Sequence, residues 1–239
     1  MPDILYLAWN RLEFTRFSFN MLLRNTNWDL VDKLVIYDDE STDGTTEFLH
    51  EAAGRCPAEV EINVMKTGSP VAVMNRFVEV TTCETFAKID NDIVVPPGWL
   101  EALCSVMDAN QDLELLGMEA GRMDVPRGEW DGTYTWTEAS HIGGVGLMRR
   151  RSFLRRPTIS VNGQRFGFTE WQHEYKPVRG WITPDLLVSS LDFVPLEPWV
   201  SLTEKYKETE GLQRQWGKYH AGFPYWWEWW PEESKEWLP

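Results

Sequence analysis

The chain has 239 residues, 43% of them hydrophobic, which is enough for one large α/β domain and excludes wholesale disorder. Its net charge of -14 argues against broad, non-specific grip on nucleic acid, because phosphate neutralisation needs Lys and Arg. No stretch approaches the roughly 20 apolar residues that span a bilayer, and the N-terminal Met1-Pro2-Asp3 lacks the basic start of a secretion signal.

The first half alternates strand and helix patterns. Residues 4–8 are a short apolar run, followed by a helical pattern with Phe14, Phe17 and Met21 on one face. Residues 33–37 contain Leu34-Val35-Ile36, a second buried strand. Ser41-Thr42-Asp43-Gly44 supplies caps and a glycine before a helix beginning near Thr45. Residues 60–65 alternate as a strand, and from Pro70 the positions Val71, Met74, Phe77 and Val78 recur at helical spacing. Residues 86–89 form a fourth strand, ended by Asp90-Asn91-Asp92 and then by Pro96-Pro97-Gly98.

Strands separated by helices of this length imply a mostly parallel, doubly wound sheet with all strand C-termini along one edge, where ligands bind. Asn10-Arg11, Asp38-Asp39-Glu40 and Asp90-Asn91-Asp92 all fall at such ends and point to a single site. Beyond about Arg122 the regularity fades. Residues 124–136, rich in Gly, Pro, Asp and Trp, read as a loop over the site. Residues 143–148 read as a glycine-bearing strand and residues 170–175 as the start of a helix. No repeat or linker is visible, so one domain is expected over 1–203, with a regular half near 1–120 and a less regular half near 121–203. A Trp-rich extension, 204–239, would pack on it. Five of the 14 tryptophans (Trp226, Trp227, Trp229, Trp230, Trp237) lie near its end, suited either to a clamped core or to stacking on a flat ring. Cys56, Cys83 and Cys104 show no C-x-x-C spacing and read as reduced thiols of a cytoplasmic protein.

Asp90 and Asp92 are two apart, and in an extended segment both would project to one side. Such a pair suits a hard cation, Mn²⁺ or Mg²⁺, which prefers oxygen ligands; the bland alternative is a solvated turn with two acids. Asp38 and Asp39 could accept a hydrogen bond from a base N–H, or form a turn. His141 is read either as packing or as a border of the site. The run Arg149-Arg150-Arg151 is read either as an anion contact or as solvated surface.

Residues 35–45 (VIYDDESTDGT) resemble the V-V-D-D-G-S-T-D-G-T signature of family 2 glycosyltransferases. Residues 88–100 (KIDNDIVVPPGWL) look like the metal motif and following helix of that family, and Val71-Ala72-Val73-Met74-Asn75-Arg76 is similar to its A-x-N-x-G helix. Residues 143–150 resemble its acceptor-side glycine-rich strand. The likeness spans roughly residues 3 to 175 and is specific in the first hundred.

The resemblance implies a GT-A (Rossmann-like) fold and transfer of a sugar from a nucleotide-diphosphate donor, UDP-sugar foremost, to an acceptor hydroxyl. Asp39 would contact the base with Asp38 supporting, and backbone from Ala8 to Asn10 would line the base pocket. Asn75 and Arg76 would lie near the nucleotide. Asp90, with Asn91 beside it, would contact the ribose or a metal water, and Asp92 would ligate the metal. Gly143 and Gly144 would border the sugar. Inverting members use a carboxylate base; Glu170 fits best, with Glu174 and His173 as alternatives, and Trp171 stands where a second acid often sits. A late His often completes the metal shell; none lies in residues 186–192, so Asp192 stands in. Acceptors of such enzymes include glycans, proteins and hydroxymethylated DNA bases. A sugar nucleotidyltransferase would need a Gly-rich phosphate loop, absent from residues 8–12; a non-catalytic glycan- or base-binding module on the same fold is the remaining alternative.

Overall fold

A computed structural model describes residues 1–118, 133–155, 160–161, 164–165, 167–183, 188–194, 196–210 and 230–237. Strands β1 (Asp3–Ala8), β2 (Lys33–Asp38), β3 (Glu59–Val64) and β4 (Thr85–Asp90) alternate with helices α1 (Leu12–Asn25), α2 (Thr45–Ala53) and α3 (Pro70–Val80). The four strands are parallel in the order β3-β2-β1-β4, as right-handed crossovers dictate. Each begins within about a residue of the apolar run that marks it in the sequence.

The short β5 (Ile93–Val94) and helix α4 (Trp99–Ala109) follow. Gly98, at φ 76, supplies the left-handed turn that starts α4; a side chain would find space there, so the need is for backbone freedom. The sheet then becomes mixed. β8 (Val145–Arg149) pairs antiparallel with β4 and with β6 (Leu115–Gly117), and β11 (Arg179–Thr183) joins β6 in parallel and β7 (Thr135–Glu138) antiparallel. The complete order is β3-β2-β1-β4-β8-β6-β11-β7. Of the stretch expected as a loop, Thr135 and Trp136 are paired strand residues opposite Thr183 and Ile182; residues 119–132 lie outside the described residues. The remaining elements are α5 (Arg150–Leu154), the short β9 (Ser160–Val161) and β10 (Gln164–Arg165), α6 (Phe168–Tyr175), β12 (Ser189–Ser190, paired with β5) and α7 (Trp199–Glu210).

Alternation along β1 divides the core. Ile4, Tyr6 and Ala8 face α1, α2 and α4, while Leu5 faces α3, α5 and α6. Burying these residues, at about 1.5–3 kcal/mol for each large apolar side chain, supplies most of the drive for the three layers. The apolar face of α1 marked in the sequence does not cover the main sheet: Phe14, Phe17 and Met21 bury against Val94, Leu191, Val194, Trp199 and Tyr206. Phe19 and Leu22, on another side of α1, cover the sheet. Helix α1 is thus buried on two sides, and its second partner is the C-terminal chain. Helix α7 runs unbroken through residue 204. Trp230 packs 4.6 Å from Phe17, ring to ring, and Trp237 joins the same cluster; Trp226, Trp227 and Trp229 lie outside the described residues. The three cysteines are free. Among the described residues no helix is long and apolar enough to cross a membrane.

Candidate active site

The C-terminal ends of β1, β2 and β4 carry two adjoining cavities that share Pro70 and Asp90. The smaller, about 490 Å³, is lined by Leu7, Ala8, Trp9, Tyr37, Asp39, Asn91 and the turn that leads into α3. The larger, about 700 Å³, holds Lys88, Asp92, His141, Gly143, Gly144 and Glu170.

Asp38 and Asp39 divide their labour. Asp38 is fully buried and accepts from the Ser41 N–H (3.1 Å) and hydroxyl (2.5 Å) and from the Thr46 hydroxyl, so it fixes the β2–α2 loop. Asp39 lines the small cavity and accepts from the N–H groups of Thr67 and Gly68, the latter at 3.0 Å. A carboxylate offers about four lone-pair sites, so it can take a further donor. Ala8 accepts the Asp39 N–H at 2.9 Å, which sets the floor. Trp9, 45% exposed, forms a wall with an aromatic face available for stacking.

Asn10 joins loops rather than lining either cavity. Its N–H donates to Ser41 Oγ (2.7 Å), its side-chain oxygen accepts the Thr42 N–H (2.9 Å), and its carbonyl accepts from Asn91 Nδ2 (2.9 Å). Asn91, which also donates to Thr15 Oγ1 at 2.8 Å, spends its amide on α1 while bordering the small cavity. Asn75 is buried in α3 and lines neither cavity. Arg76 is exposed one turn beyond Val73, its guanidinium on the Met65 sulfur at the outer side of the small cavity.

The extended geometry expected of Asp90 and Asp92 is not observed. β4 ends at Asp90, and Asn91 and Asp92 form a turn, so the two carboxylates acquire different partners. Lys88 Nζ donates to Asp90 Oδ2 at 2.6 Å and approaches the Gly143 carbonyl at 3.5 Å. Asp92 instead faces Asp192 and Arg11: Arg11 Nη1 lies 3.1 Å from Asp192 Oδ2 and 3.7 Å from Asp92 Oδ2. Burial and the neighbouring Asp92 charge push the Asp192 carboxyl up to about 6, despite the guanidinium. This crowding of carboxylate oxygens is relieved by added positive charge, so the donor set fits a hard divalent cation held by Asp92 and Asp192. Among the described residues the one group of three candidate ligands within mutual reach is Asp3, Asp32 and Cys83, with Asp3 at the opposite end of β1 from the cavities.

The far wall is built by glycines and α6. Gly144 accepts the Asp90 N–H at 2.9 Å, and a Cβ there would stand 2.8 Å from Ile93 and 3.2 Å from Asp90. Gly143 has space beside it and serves through its carbonyl. Glu170, in the first turn of α6, is exposed to the large cavity. Trp171 points the other way and stacks on Phe153 at 4.5 Å, which explains an aromatic where an acid was awaited. Gln172, fully buried, accepts the Ile142 N–H (2.8 Å) and donates to the Ile142 carbonyl (2.9 Å), clamping α6 to the glycine segment. His173 lies outside this cavity; it meets His141 edge-on at 6.3 Å and lines a third cavity with Trp136, Glu138 and Arg179. In the run 149–151, Arg149 is buried and donates to the carbonyls of Met107 and Leu113, Arg150 is half-buried and donates to that of Val78, and Arg151 is exposed.

Sequence reasoning assigned no role to the side chains of four residues here. Lys88 carried a signal, a cation inside the apolar run Phe86-Ala87-Lys88-Ile89 and two before an acid. Trp9 carried one too, as an aromatic directly after a strand. Arg11 was marked with Asn10 as polar at a strand end, but its acidic partners are distant in sequence; Gln172 carried no signal, for the same reason.

The profile of glycosyl transferase family 2 matches residues 3–166, the span that contains both cavities' floor and most of their walls. The chain belongs to glycosyl transferase family 2. No curated protein matches its sequence. Among solved structures, the family 2 chain is similar to the mannosyltransferase PcManGT from Pyrobaculum calidifontis in complex with GDP-Man and Mn²⁺ (TM-score 0.59, 14% identity, 77% of this chain and 57% of that one). It is similar to S. aureus TarS 1-349 (0.59, 12%, 80% and 60%), a protein also solved with UDP-GlcNAc, and to HddC from Yersinia pseudotuberculosis (0.59, 14%, 87% and 100%). The chain therefore spans about three-fifths of the first two. At these identities the likeness establishes the GT-A fold, which the mixed sheet with its parallel first half displays.

Proposed function

We propose that this glycosyltransferase takes a sugar from a nucleoside-diphosphate donor, a UDP-sugar foremost, and passes it to an acceptor hydroxyl with the help of Mn²⁺ or Mg²⁺. The observation that carries this reading is the pair of cavities meeting at Asp90. One is largely apolar, with Asp39 and an indole face beside the shared Asp90, suited to a base; the other is polar and carries Lys88, Asp92 and Glu170.

The base enters the small cavity, stacks on Trp9 and donates its imide N–H to Asp39. The diphosphate passes Asp90 and the sugar occupies the large cavity beside Gly144. Asp92 and Asp192 would hold the divalent ion, which would supply positive charge against the negative charge developing on the leaving diphosphate. Glu170 accepts the acceptor hydroxyl's proton as that oxygen attacks the anomeric carbon, giving inversion. His173 is set aside as the base because it belongs to the third cavity. The complexes of PcManGT with GDP-Man and of TarS with UDP-GlcNAc support a nucleotide-sugar donor.

Calorimetric titration with UDP, GDP and dTDP tests the donor half. Saturable binding of one nucleotide, weakened about tenfold or more in Asp39→Ala and in Trp9→Ala, is expected. Equal binding in both variants would place the base elsewhere.

A further inference from the structure

The cation nearest the proposed metal ligands belongs to the chain itself. Arg11 Nη1 approaches Asp192 Oδ2 (3.1 Å) and Asp92 Oδ2 (3.7 Å), and the side chains of Arg11 and Asp192 are only 11% and 6% exposed. Two carboxylates enclosed together without a cation would be costly, and the guanidinium lowers that cost. Its other contacts hold it in place. It lies 5.8 Å from the ring centroids of both Phe14 and Tyr206, and its backbone, at φ 63, follows Asn10 at φ 50. Two successive left-handed residues other than glycine are strained, and the loop is pinned by Asn10 N–H to Ser41 Oγ and by Leu12 N–H to Asp43 Oδ2 (2.8 Å). The fold thus goes to some expense to keep this one side chain beside two acids that are distant from it and from one another in sequence.

A hard divalent ion needs the same oxygens that Arg11 Nη1 occupies. Resting on the metal-dependent reading above, we infer that Arg11 is a built-in, exchangeable counter-cation of Asp92 and Asp192, displaced when the divalent ion binds. The pair of acids then never stands uncompensated. The released guanidinium, still tethered at the end of β1, becomes available to the donor's diphosphate, which it can grip by its planar fork. Metal affinity is consequently weak in the free protein and rises when a nucleoside diphosphate offers Arg11 another partner.

The test is calorimetric titration of the whole chain with Mn²⁺ alone, comparing wild type with Arg11→Met, Arg11→Lys and Asp92→Asn. Arg11→Met is expected to bind Mn²⁺ about tenfold tighter than wild type, because competition is removed, with Arg11→Lys between the two. Binding equal to or weaker than wild type in Arg11→Met would overturn the proposal. Asp92→Asn separates this inference from its basis. Unchanged Mn²⁺ binding in that variant removes the metal assignment itself, whereas lost binding there with no gain in Arg11→Met removes only the counter-cation. Should Arg11→Met fail to fold, the wild type gives a second readout: phenylglyoxal modification of Arg11, followed by peptide mass spectrometry. A several-fold faster modification in Mn²⁺ supports displacement, and an unchanged or slower rate contradicts it.

Discussion

Lys88 Nζ lies 2.6 Å from Oδ2 of Asp90, so the last strand of the parallel half ends in a buried cation and a half-exposed carboxylate that balance one another at the junction of the two cavities. The ammonium also stands 5.4 Å from the Phe168 ring, at the start of the helix that carries Glu170. Replacing Lys88 by Met leaves Asp90 as an uncompensated acid where the donor diphosphate must pass. Donor turnover is expected to fall at least about tenfold and stability by about 1–2 kcal/mol, the latter modest because Asp90 reaches solvent. Steady-state nucleotide release and thermal denaturation read the two effects; turnover equal to wild type would remove Lys88 from the site.

Glu170→Gln keeps the size of the side chain and removes its basicity. Turnover is expected to drop by about 10²–10⁴ while nucleotide affinity stays within about twofold, since the residue lines the sugar cavity and not the base cavity. A variant as fast as wild type would direct the search for the base to Glu174, and then to His173.

Gln172 acts through others. Gln172→Met preserves volume but leaves the Ile142 N–H and carbonyl without their partner, and an unsatisfied buried group costs about 1–3 kcal/mol. A loss of about 2–4 kcal/mol is expected, with turnover lowered more than nucleotide affinity because α6 and the glycine segment lose their common anchor. Urea denaturation and calorimetry with the preferred nucleotide check both; an unchanged unfolding midpoint would show that the clamp is dispensable.

Glu13 ties α1 to α7, accepting from Lys205 Nζ at 3.0 Å and from the Tyr206 hydroxyl. Partial burial pushes its carboxyl up, but the hydrogen bonds from Tyr206 and Lys205 outweigh this and hold it below the ordinary 4.5. A carboxyl lowered on folding adds stability above its unfolded value, and that stability is lost as pH falls through the folded value. Glu13→Gln should therefore melt about 2 °C below wild type at pH 7, with the gap closing below pH ~4. A gap that persists in acid would mean that the charge is not what docks α7.

The parallel half was legible because β1, β2 and β4 are largely apolar runs with polar residues at or just past their C-terminal ends, while β3 shows the alternation of a partly exposed strand. Val35-Ile36-Tyr37-Asp38 is an example: burial on both faces marks the strand, and the first hydrophilic residues mark the edge where ligands bind. What could not be read locally was direction. Asp90 and Asp92 look equivalent at a spacing of two, yet the turn at Asn91 sends one to Lys88 and the other to Arg11. Family resemblance alone pairs Asp192 with Asp92, and in the structure both face Arg11, which is 181 positions from Asp192. The second half was harder: β8 and α6 show in residues 143–148 and 170–175, but β6, β11 and β7 are short and pair out of sequence order, so no local periodicity announces them. Trp171 reads as a missing acid until Phe153 is seen beneath it. The Arg149-Arg150-Arg151 run reads as a charge patch until its neighbouring carbonyls are known.

The most direct test of the central claim is nucleotide release from a panel of UDP-, GDP- and dTDP-sugars, with Mn²⁺ and with chelator. Slow release from one donor that chelator abolishes is expected, because bound donor can pass its sugar to water when no acceptor is present. No release from any donor, together with no thermal shift on adding nucleotide, would contradict the account and favour a binding module that has kept the family fold without its chemistry.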